Sequence, residues 1–154
     1  MIKYKRGDLV KAALSGEVDV LVHQCNCFNN MGKGIAPQIA RAFPDAAKID
    51  KETVKGSKEK LGTYSVSHVN KVCSVVNLYG QYGYWPQPEG RINTDYTALE
   101  KGLQLLGDVL RSKKPNARVG LPKIGCGLGG GDWVIVSELI ERAFIDLDIT
   151  VYEL

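Results

Sequence analysis

Five glycines fall within seven positions of this chain: Gly125, Gly127, Gly129, Gly130 and Gly131. They follow a strand-like run, Ala117–Leu121, and precede an amphipathic run, Trp133–Phe144, with helical spacing. Glycine lets backbone N–H groups come close to a ligand and point at it. A loop of this kind that feeds a helix start is a ready site for an anion. The chain therefore needs a fold in which a strand hands over to a bare main-chain loop and then to a helix. The same feature points to a phosphate-bearing ligand, a nucleotide before others. The spacing is not that of a P-loop. Gly125-x-Gly127-x-Gly129 with Gly130 superficially resembles a dinucleotide fingerprint, but that fingerprint follows the first strand of its fold. Here it comes late in the chain, which argues against a nicotinamide cofactor.

With 154 residues, the chain has the length of one domain. About 150 residues bury roughly 68–70% of their unfolded surface, enough for a core without staples. Hydrophobic residues make up 44% and charged residues 24%, so disorder is not expected. A net charge of +3 is too mild to imply direct nucleic-acid binding. Cys25 and Cys27 form a C-x-C, with Cys73 and Cys126 elsewhere and only His23 and His68 beside them. Zinc sites use other spacings, so no metal is expected, and the cysteines read as small buried residues of a reducing compartment. Residues 1–6 are charged and strand-like without an apolar segment behind them, and no apolar run nears the ~18 residues of a membrane span. The expectation is a cytoplasmic protein with no membrane partner.

Strand-like stretches are Ile2–Lys5, Val18–His23, Tyr64–Val69, Val72–Tyr79, Ala117–Leu121 and Ile149–Tyr152. Asn70-Lys71 is suited to turn a hairpin between two of them. Helical spacing appears in Ile35–Phe43, from Pro44 to about Val54, from Asp95 to about Leu110 behind a cap at Asn93 or Thr94, and from Trp133 to Asp146. Lys55–Lys60 reads as a basic surface turn. Alternating strands and helices imply one α/β domain with a mainly parallel sheet covered on both faces. Ligands of such sheets sit beyond the carboxyl ends of the strands. Two loops lie at such ends, 24–34 and 122–131.

The first of these loops carries Asn26, Asn29, Asn30, Gly32 and Gly34, then Ile35 and Ala36 at a helix start. Asparagine tolerates left-handed backbone and offers both donor and acceptor, while a helix start favours anions. It reads equally as a site or an ordinary turn. Asp8, behind Gly7, suits either an exocyclic amine or a turn cap. His23 ends an apolar strand, where a packed histidine is the commoner outcome, although its ordinary pKa near 6.5 also suits proton transfer. Asp132 is the carboxylate beside the glycine loop and equally a good helix N-cap. Asn77 and Gln81 flank a strand end, and Tyr82, Tyr84 and Trp85 are suited to stack on a sugar or base or to pack their own loop.

Taken together and in order, several segments resemble the macrodomain family over nearly the whole chain. They are Gly7-Asp8-Leu9, Val22-His23-Gln24-Cys25-Asn26-Cys27, Met31-Gly32-Lys33-Gly34-Ile35-Ala36, Pro122-Lys123-Ile124-Gly125-Cys126-Gly127-Leu128 with Asp132-Trp133, and Val151-Tyr152-Glu153-Leu154. The resemblance implies a single macrodomain over residues 1–154. Its fold would be a three-layer α/β/α sandwich around a mixed six-stranded sheet, with ADP-ribose in a surface cleft and no cofactor. By position, Asp8 looks like the adenine-amine acceptor, with the Leu9 N–H beside it. Gly32, Gly34, Ile35 and Ala36 look like a phosphate and distal-ribose loop, and Gly125, Cys126, Gly127, Leu128 and Gly129 like the loop over the diphosphate. Tyr152 and Leu154 sit where this family closes the adenine pocket, and Asn26 and Asn30 lie where distal-ribose contacts are expected.

Two branches of that family are similar in sequence and differ in chemistry. The glycohydrolases that remove ADP-ribose from proteins or DNA use a lysine soon after the strand matching Val72–Tyr79. The protein-directed ones also place an aspartate directly after the Gly-Cys-Gly-Leu run. Here Asn77-Leu78-Tyr79-Gly80-Gln81 holds no lysine, and Gly129 stands at the aspartate position. The ADP-ribose-1''-phosphate phosphatase branch carries His-x-Cys-Asn-Cys, which His23–Cys27 matches. The expected activity is thus phosphate removal from ADP-ribose-1''-phosphate, with His23 or Asp132 moving the proton. ADP-ribosyl-macromolecule hydrolysis and non-catalytic ADP-ribose reading are the alternatives.

Overall fold

The computed structural model describes residues 1–68 and 72–154. The chain runs β1 (Lys3–Arg6), α1 (Leu9–Leu14), β2 (Val20–Cys25), α2 (Ala36–Ala42), α3 (Pro44–Lys51), a 3-10 turn (Lys58–Lys60), β3 (Tyr64–Ser67), β4 (Ser74–Tyr79), α4 (Tyr96–Lys113), β5 (Arg118–Leu121), α5 (Trp133–Ala143) and β6 (Asp148–Glu153). The six strands make one sheet in the order β1-β6-β5-β2-β4-β3. Every neighbouring pair is parallel except β3–β4, so the sheet is mixed and the fold is a three-layer α/β/α sandwich.

Side-chain alternation along the central strands sorts the two cores. Val20 and Val22 of β2, with Val76 and Leu78 of β4, face Leu99, Leu103 and Leu106 of α4 and Val136 and Ile140 of α5. Leu21 and Val75 face the other way, onto Leu9 and Ala13 of α1, Ile39 of α2 and Ala46 of α3. A strand covered on both faces loses its polar alternation, which is why Val20-Leu21-Val22 reads as a continuous apolar run. Each fully buried branched side chain here, such as Leu103, Leu121 or Ile140, contributes about 1.5–3 kcal/mol.

Several boundaries differ from the sequence expectation. β2 begins two residues later, because Asp19 is spent bracing β5: its N–H donates to Arg118 O, and its carboxylate accepts from Arg118 N and the Arg118 guanidinium. Helix α1 was not anticipated. Asp95, rather than Asn93 or Thr94, caps α4 by accepting from Ala98 N at 3.0 Å. The expected turn at Asn70-Lys71 lies outside the described residues, but β3 and β4 do pair antiparallel, with Val66 opposite Val76. Lys55–Lys60 is not wholly a solvated basic turn, because Lys60 is 7% exposed. Among the described residues, no helix is long and apolar enough to cross a membrane.

The parallel pairing has a consequence for function. β1, β2, β4, β5 and β6 all end at the same rim, so segments 7–8, 26–35, 80–94, 122–132 and residue 154 gather there.

Candidate functional site

Two adjoining hollows open at that rim. The first, of about 260 Å³, is lined by residues of three loops, among them Asn26, Asn30, Gly34, Ile35 and Ala36 from one, Gln81, Tyr84 and Asn93 from the next, and Gly125, Gly127, Leu128 and Gly129 from the last. The other, of about 290 Å³, is lined by Gly7, Asp8, Leu9, Gln38, Tyr152 and Leu154. Gly34, Ile35 and Pro122 line both, so the two form one continuous trough.

The glycine loop is held by donors from the 80–95 segment. Thr94 Oγ1 donates to Gly125 O at 2.7 Å, and Gly131 N donates to the same oxygen at 2.7 Å. Asn93 N and Thr94 N both donate to Gly129 O. Gly125 sits at φ +72°, a left-handed conformation costly for other residues. Among the described residues, the N–H groups of Gly125, Gly127, Leu128 and Gly129 have no acceptor, nor do those of Gly34, Ile35 and Ala36. Main-chain donors of this kind, unpaid within the protein, are the usual lining of an anion site. Cys126 N differs, since it donates to Lys123 O at 3.3 Å. Gly32 N is also engaged, with Asn30 Oδ1 at 3.0 Å.

Below the trough lies a floor that sequence reading missed. Gln24 Nε2 donates to Gln81 Oε1 at 2.8 Å and to Thr94 Oγ1 at 3.0 Å, tying β2 to both upper loops. Asn26 is buried, its amide donating to Asn30 O at 2.8 Å and its oxygen accepting from Phe28 N, so it shapes the loop that displays Asn30. Lys60 Nζ donates to Asn29 Oδ1 at 2.6 Å and Cys27 O at 3.1 Å, fixing the same loop from beneath. Burial lowers the Lys60 pKa and raises that of nearby Asp50, whose carboxylate accepts from Tyr79 Oη at 2.7 Å.

The geometry places both acid–base candidates. His23 belongs to the floor of the first hollow, but it is 1% exposed. Its Nε2 lies 2.6 Å from Asn77 Oδ1. Burial lowers its pKa to about 4, against a smaller opposing effect of the Asn77 bond, so the ring is neutral at pH 7. Asp132 is exposed and is not part of the trough lining; it accepts from Val134 N at 2.9 Å and caps α5. Asp8 serves two ends: its Oδ1 accepts from Lys11 N at 3.1 Å, capping α1, while the residue also borders the second hollow. Asn77 is wholly buried, donating to Ala46 O and Ser65 Oγ, and so addresses no ligand edge, whereas Gln81 does line the trough. Cys25, Cys27 and Cys73 are buried and Cys126 half-buried. Among the described residues, no three His, Cys, Asp or Glu gather as metal ligands would.

The family model described as Macro domain matches residues 22–140. The chain belongs to the Macro domain family. This Macro domain is 33% identical over 157 residues to an uncharacterized 17.5 kDa protein from the tk-vs intergenic region of Enterobacteria phage T4, covering 99% of this chain and 96% of that one. It is 30% identical over 161 residues to the ADP-ribose 1''-phosphate phosphatase of Lodderomyces elongisporus, covering 98% and 97%. Identity to the DNA ADP-ribosyl glycohydrolase of Mycobacterium tuberculosis is 29% over 157 residues, and there the match spans 99% of this chain but 42% of the larger protein. The solved macrodomain of Mycobacterium tuberculosis DarG superposes with a TM-score of 0.78 at 27% identity, covering 100% of this chain and 98% of that one.

Proposed function

We propose that this Macro domain, spanning residues 1–154, binds ADP-ribose along the trough and removes the phosphate from ADP-ribose-1''-phosphate. The observation that carries the reading is the set of acceptor-less N–H groups on two loops of one trough, those of residues 34–36 and those of Gly125, Gly127, Leu128 and Gly129. A diphosphate is the ligand chemistry that such donors serve. The second hollow, with Asp8, Leu9, Tyr152 and Leu154, is the size and polarity for adenine, and Asn30 and Gln81 stand at the other end for the distal ribose. The full-length similarity to a protein named as an ADP-ribose 1''-phosphate phosphatase supports the reaction. Residence in the cytoplasm fits the buried thiols.

In the proposed reaction, water attacks phosphorus in line, the bond from phosphorus to the C1'' oxygen breaks, and a proton of the attacking water passes by way of solvent to that departing oxygen. Backbone N–H groups of the glycine loop stabilise charge on the phosphoryl oxygens, and the remaining work is positioning. His23 contributes through Asn77 and the floor rather than by moving protons. A non-catalytic ADP-ribose reader is the second reading, and one observation favours it: His23 is buried and neutral in the floor, and Asp132 lies outside the trough lining. ADP-ribosyl-macromolecule hydrolysis is the third, supported by the similarity to the glycohydrolase.

The test is calorimetric titration with ADP-ribose, followed by assay of inorganic phosphate from ADP-ribose-1''-phosphate. One-to-one binding with catalytic phosphate release is expected. Binding without release establishes the reader, and no binding overturns the trough assignment.

A further inference from the structure

Thr94 stands just ahead of helix α4, in a segment between exposed residues, yet it is 4% exposed. Its place is braced on the main chain. Asp95 N donates to Gly80 O at 2.8 Å, the Asp95 carboxylate caps α4, and Thr94 bridges antiparallel to Gln81. The Thr94 side chain fills the inside of the glycine loop, and the glycines sort by what they face. A Cβ on Gly129 would collide with Thr94 Oγ1, and one on Gly125 would lie 3.0 Å from Thr94 Oγ1 and 3.1 Å from its Cγ2. A Cβ on Gly131 would stand 2.6 Å from Gly125 O, the oxygen that Thr94 holds. Gly130 faces Ile92, whereas Gly127, which lines the trough, has open space beside it. Gly125, Gly129 and Gly131 are therefore required by the packing around Thr94 and not by the approach of a ligand.

The Thr94 hydroxyl has one possible role in its hydrogen-bond chain. Gln81 Nε2 donates to Gly83 O, which turns Gln81 Oε1 toward Gln24. Gln24 Nε2 then donates to that oxygen at 2.8 Å and to Thr94 Oγ1 at 3.0 Å. Thr94 Oγ1 is thus an acceptor from one side, and its own proton goes to Gly125 O at 2.7 Å. The Thr94 N–H goes to Gly129 O at 3.0 Å. A single residue grips the carbonyls at both ends of segment 125–129. The arrangement leaves buried Gln24 Oε1 without a partner among the described residues. An orphaned buried acceptor is destabilising and calls for an explanation beyond packing.

We propose that Thr94 is the positioning residue of the diphosphate site. It does not line the trough, so it acts through the loop: with Gly125 O and Gly129 O held from inside, the N–H groups of Gly127, Leu128 and Gly129 are turned toward the phosphates. The inference rests on the reading that the trough holds ADP-ribose. Thr94 makes no hydrogen bond to residues 34–36 or to the lining of the second hollow, so its hydroxyl governs the diphosphate grip and not the adenine end.

The experiment compares Thr94→Val, which keeps the shape and removes the hydroxyl, with Thr94→Ser, which keeps the hydroxyl, on the full chain. Calorimetry with ADP-ribose should show Thr94→Val weakened by about 10- to 100-fold, the scale of one charge-assisted hydrogen bond lost. Thr94→Ser should stay within about threefold of wild type. In proton–nitrogen correlation spectra without ligand, the amides of Gly127, Leu128 and Gly129 should move in Thr94→Val, while those of Tyr152 and Leu154 keep their wild-type positions and certify the fold. Thr94→Val binding within threefold of wild type, or Thr94→Ser as weak as Thr94→Val, overturns the proposal and leaves the trough assignment standing. A Thr94→Val spectrum collapsed throughout makes Thr94 a residue of the fold at large and overturns it equally. If wild type does not bind ADP-ribose, it is the trough assignment that fails, and this proposal with it.

Discussion

Nε2 of His23 and Oδ1 of Asn77 lie 2.6 Å apart, directly across the β2–β4 ladder, with both residues on the face that packs against α1–α3. Because the Asn77 amide nitrogen is already donating to Ala46 O and Ser65 Oγ, its oxygen must be the acceptor. That fixes the proton of a neutral His23 on Nε2. The pair therefore behaves as one buried polar unit that needs an uncharged ring.

A pH dependence follows with a definite sign. The His23 pKa falls from an ordinary 6.5 to about 4 on folding. Above 6.5 the ring is neutral in both states and costs nothing. As pH falls from 6.5 towards 4, the unfolded chain takes up a proton that the folded one refuses, and stability drops. The full loss is about 3 kcal/mol, reached below the folded pKa. Urea denaturation of wild type between pH 7.5 and 4 should show this acid limb, and His23→Phe should flatten it while lowering stability at pH 7. An equal acid limb in the variant would mean that other groups carry it. If phosphate is released, its rate should show no titration near pH 6.5 attributable to this ring.

Asp132 is predicted to be a cap and nothing more. Asp132→Ala should destabilise by about 1 kcal/mol, the usual value of an N-cap side chain. Asp132→Asn should restore most of it, because an amide oxygen still accepts from Val134 N. Phosphate release at saturating substrate should stay within about threefold of wild type. A loss of ~10²–10⁴-fold in both variants would instead return the residue to acid–base work.

Much of this molecule was legible from residue order, and the parts that were not share a cause. Strand–loop–helix alternation gave the parallel sheet, and the glycine run gave the loop that lines the trough. Helix α1 escaped because its six residues, Leu9–Leu14, are too short to display a period, and four of them are buried; only the cap at Asp8 announced it. The placement of His23 could have been read, since it sits two residues from Leu21 and so shares its face. The Gln24–Gln81–Thr94 floor joins residues 57 and 70 positions apart, and no local pattern reports such a meeting. Likewise, Asp8 nears Tyr152 and Leu154 only because β1 pairs with β6 in a register that sets Arg6 opposite Glu153.

Two glycines of one loop should respond oppositely to alanine. Gly125 has φ +72°, and a Cβ there would press on Thr94 and the Gln24 oxygen. Gly125→Ala should therefore lose about 1–3 kcal/mol of stability together with ADP-ribose affinity. Gly127 has ordinary backbone and open space where a Cβ would go. Gly127→Ala should leave the thermal midpoint within about 2 °C, so any loss of affinity it causes reports on the trough alone. Thermal unfolding beside ADP-ribose titration separates the two; matching losses of stability in both would contradict the loop geometry.

Lys60 and Lys55 belong to the same basic segment, yet their removal should differ severalfold in cost. Lys55 is exposed, and Lys55→Met should change stability by less than about 0.5 kcal/mol. Lys60 is buried over the Tyr79 ring at 4.8 Å, and its ammonium supplies donors to Asn29 Oδ1 and Cys27 O. Lys60→Met keeps the volume and removes the donors. Cys27 O still accepts from Gly56 N and Asn29 Oδ1 from Thr53 Oγ1, which softens the loss. Asp50, however, is left buried with its favourable charge partner gone, and burial already raises its pKa. The expected cost is about 2–4 kcal/mol, largest near neutral pH and smaller as acid protonates Asp50. Denaturant midpoints at pH 7 and pH 5 test this. A Lys60→Met penalty as small as that of Lys55→Met would show that the ammonium contributes nothing to holding the Asn26–Asn30 loop against the sheet.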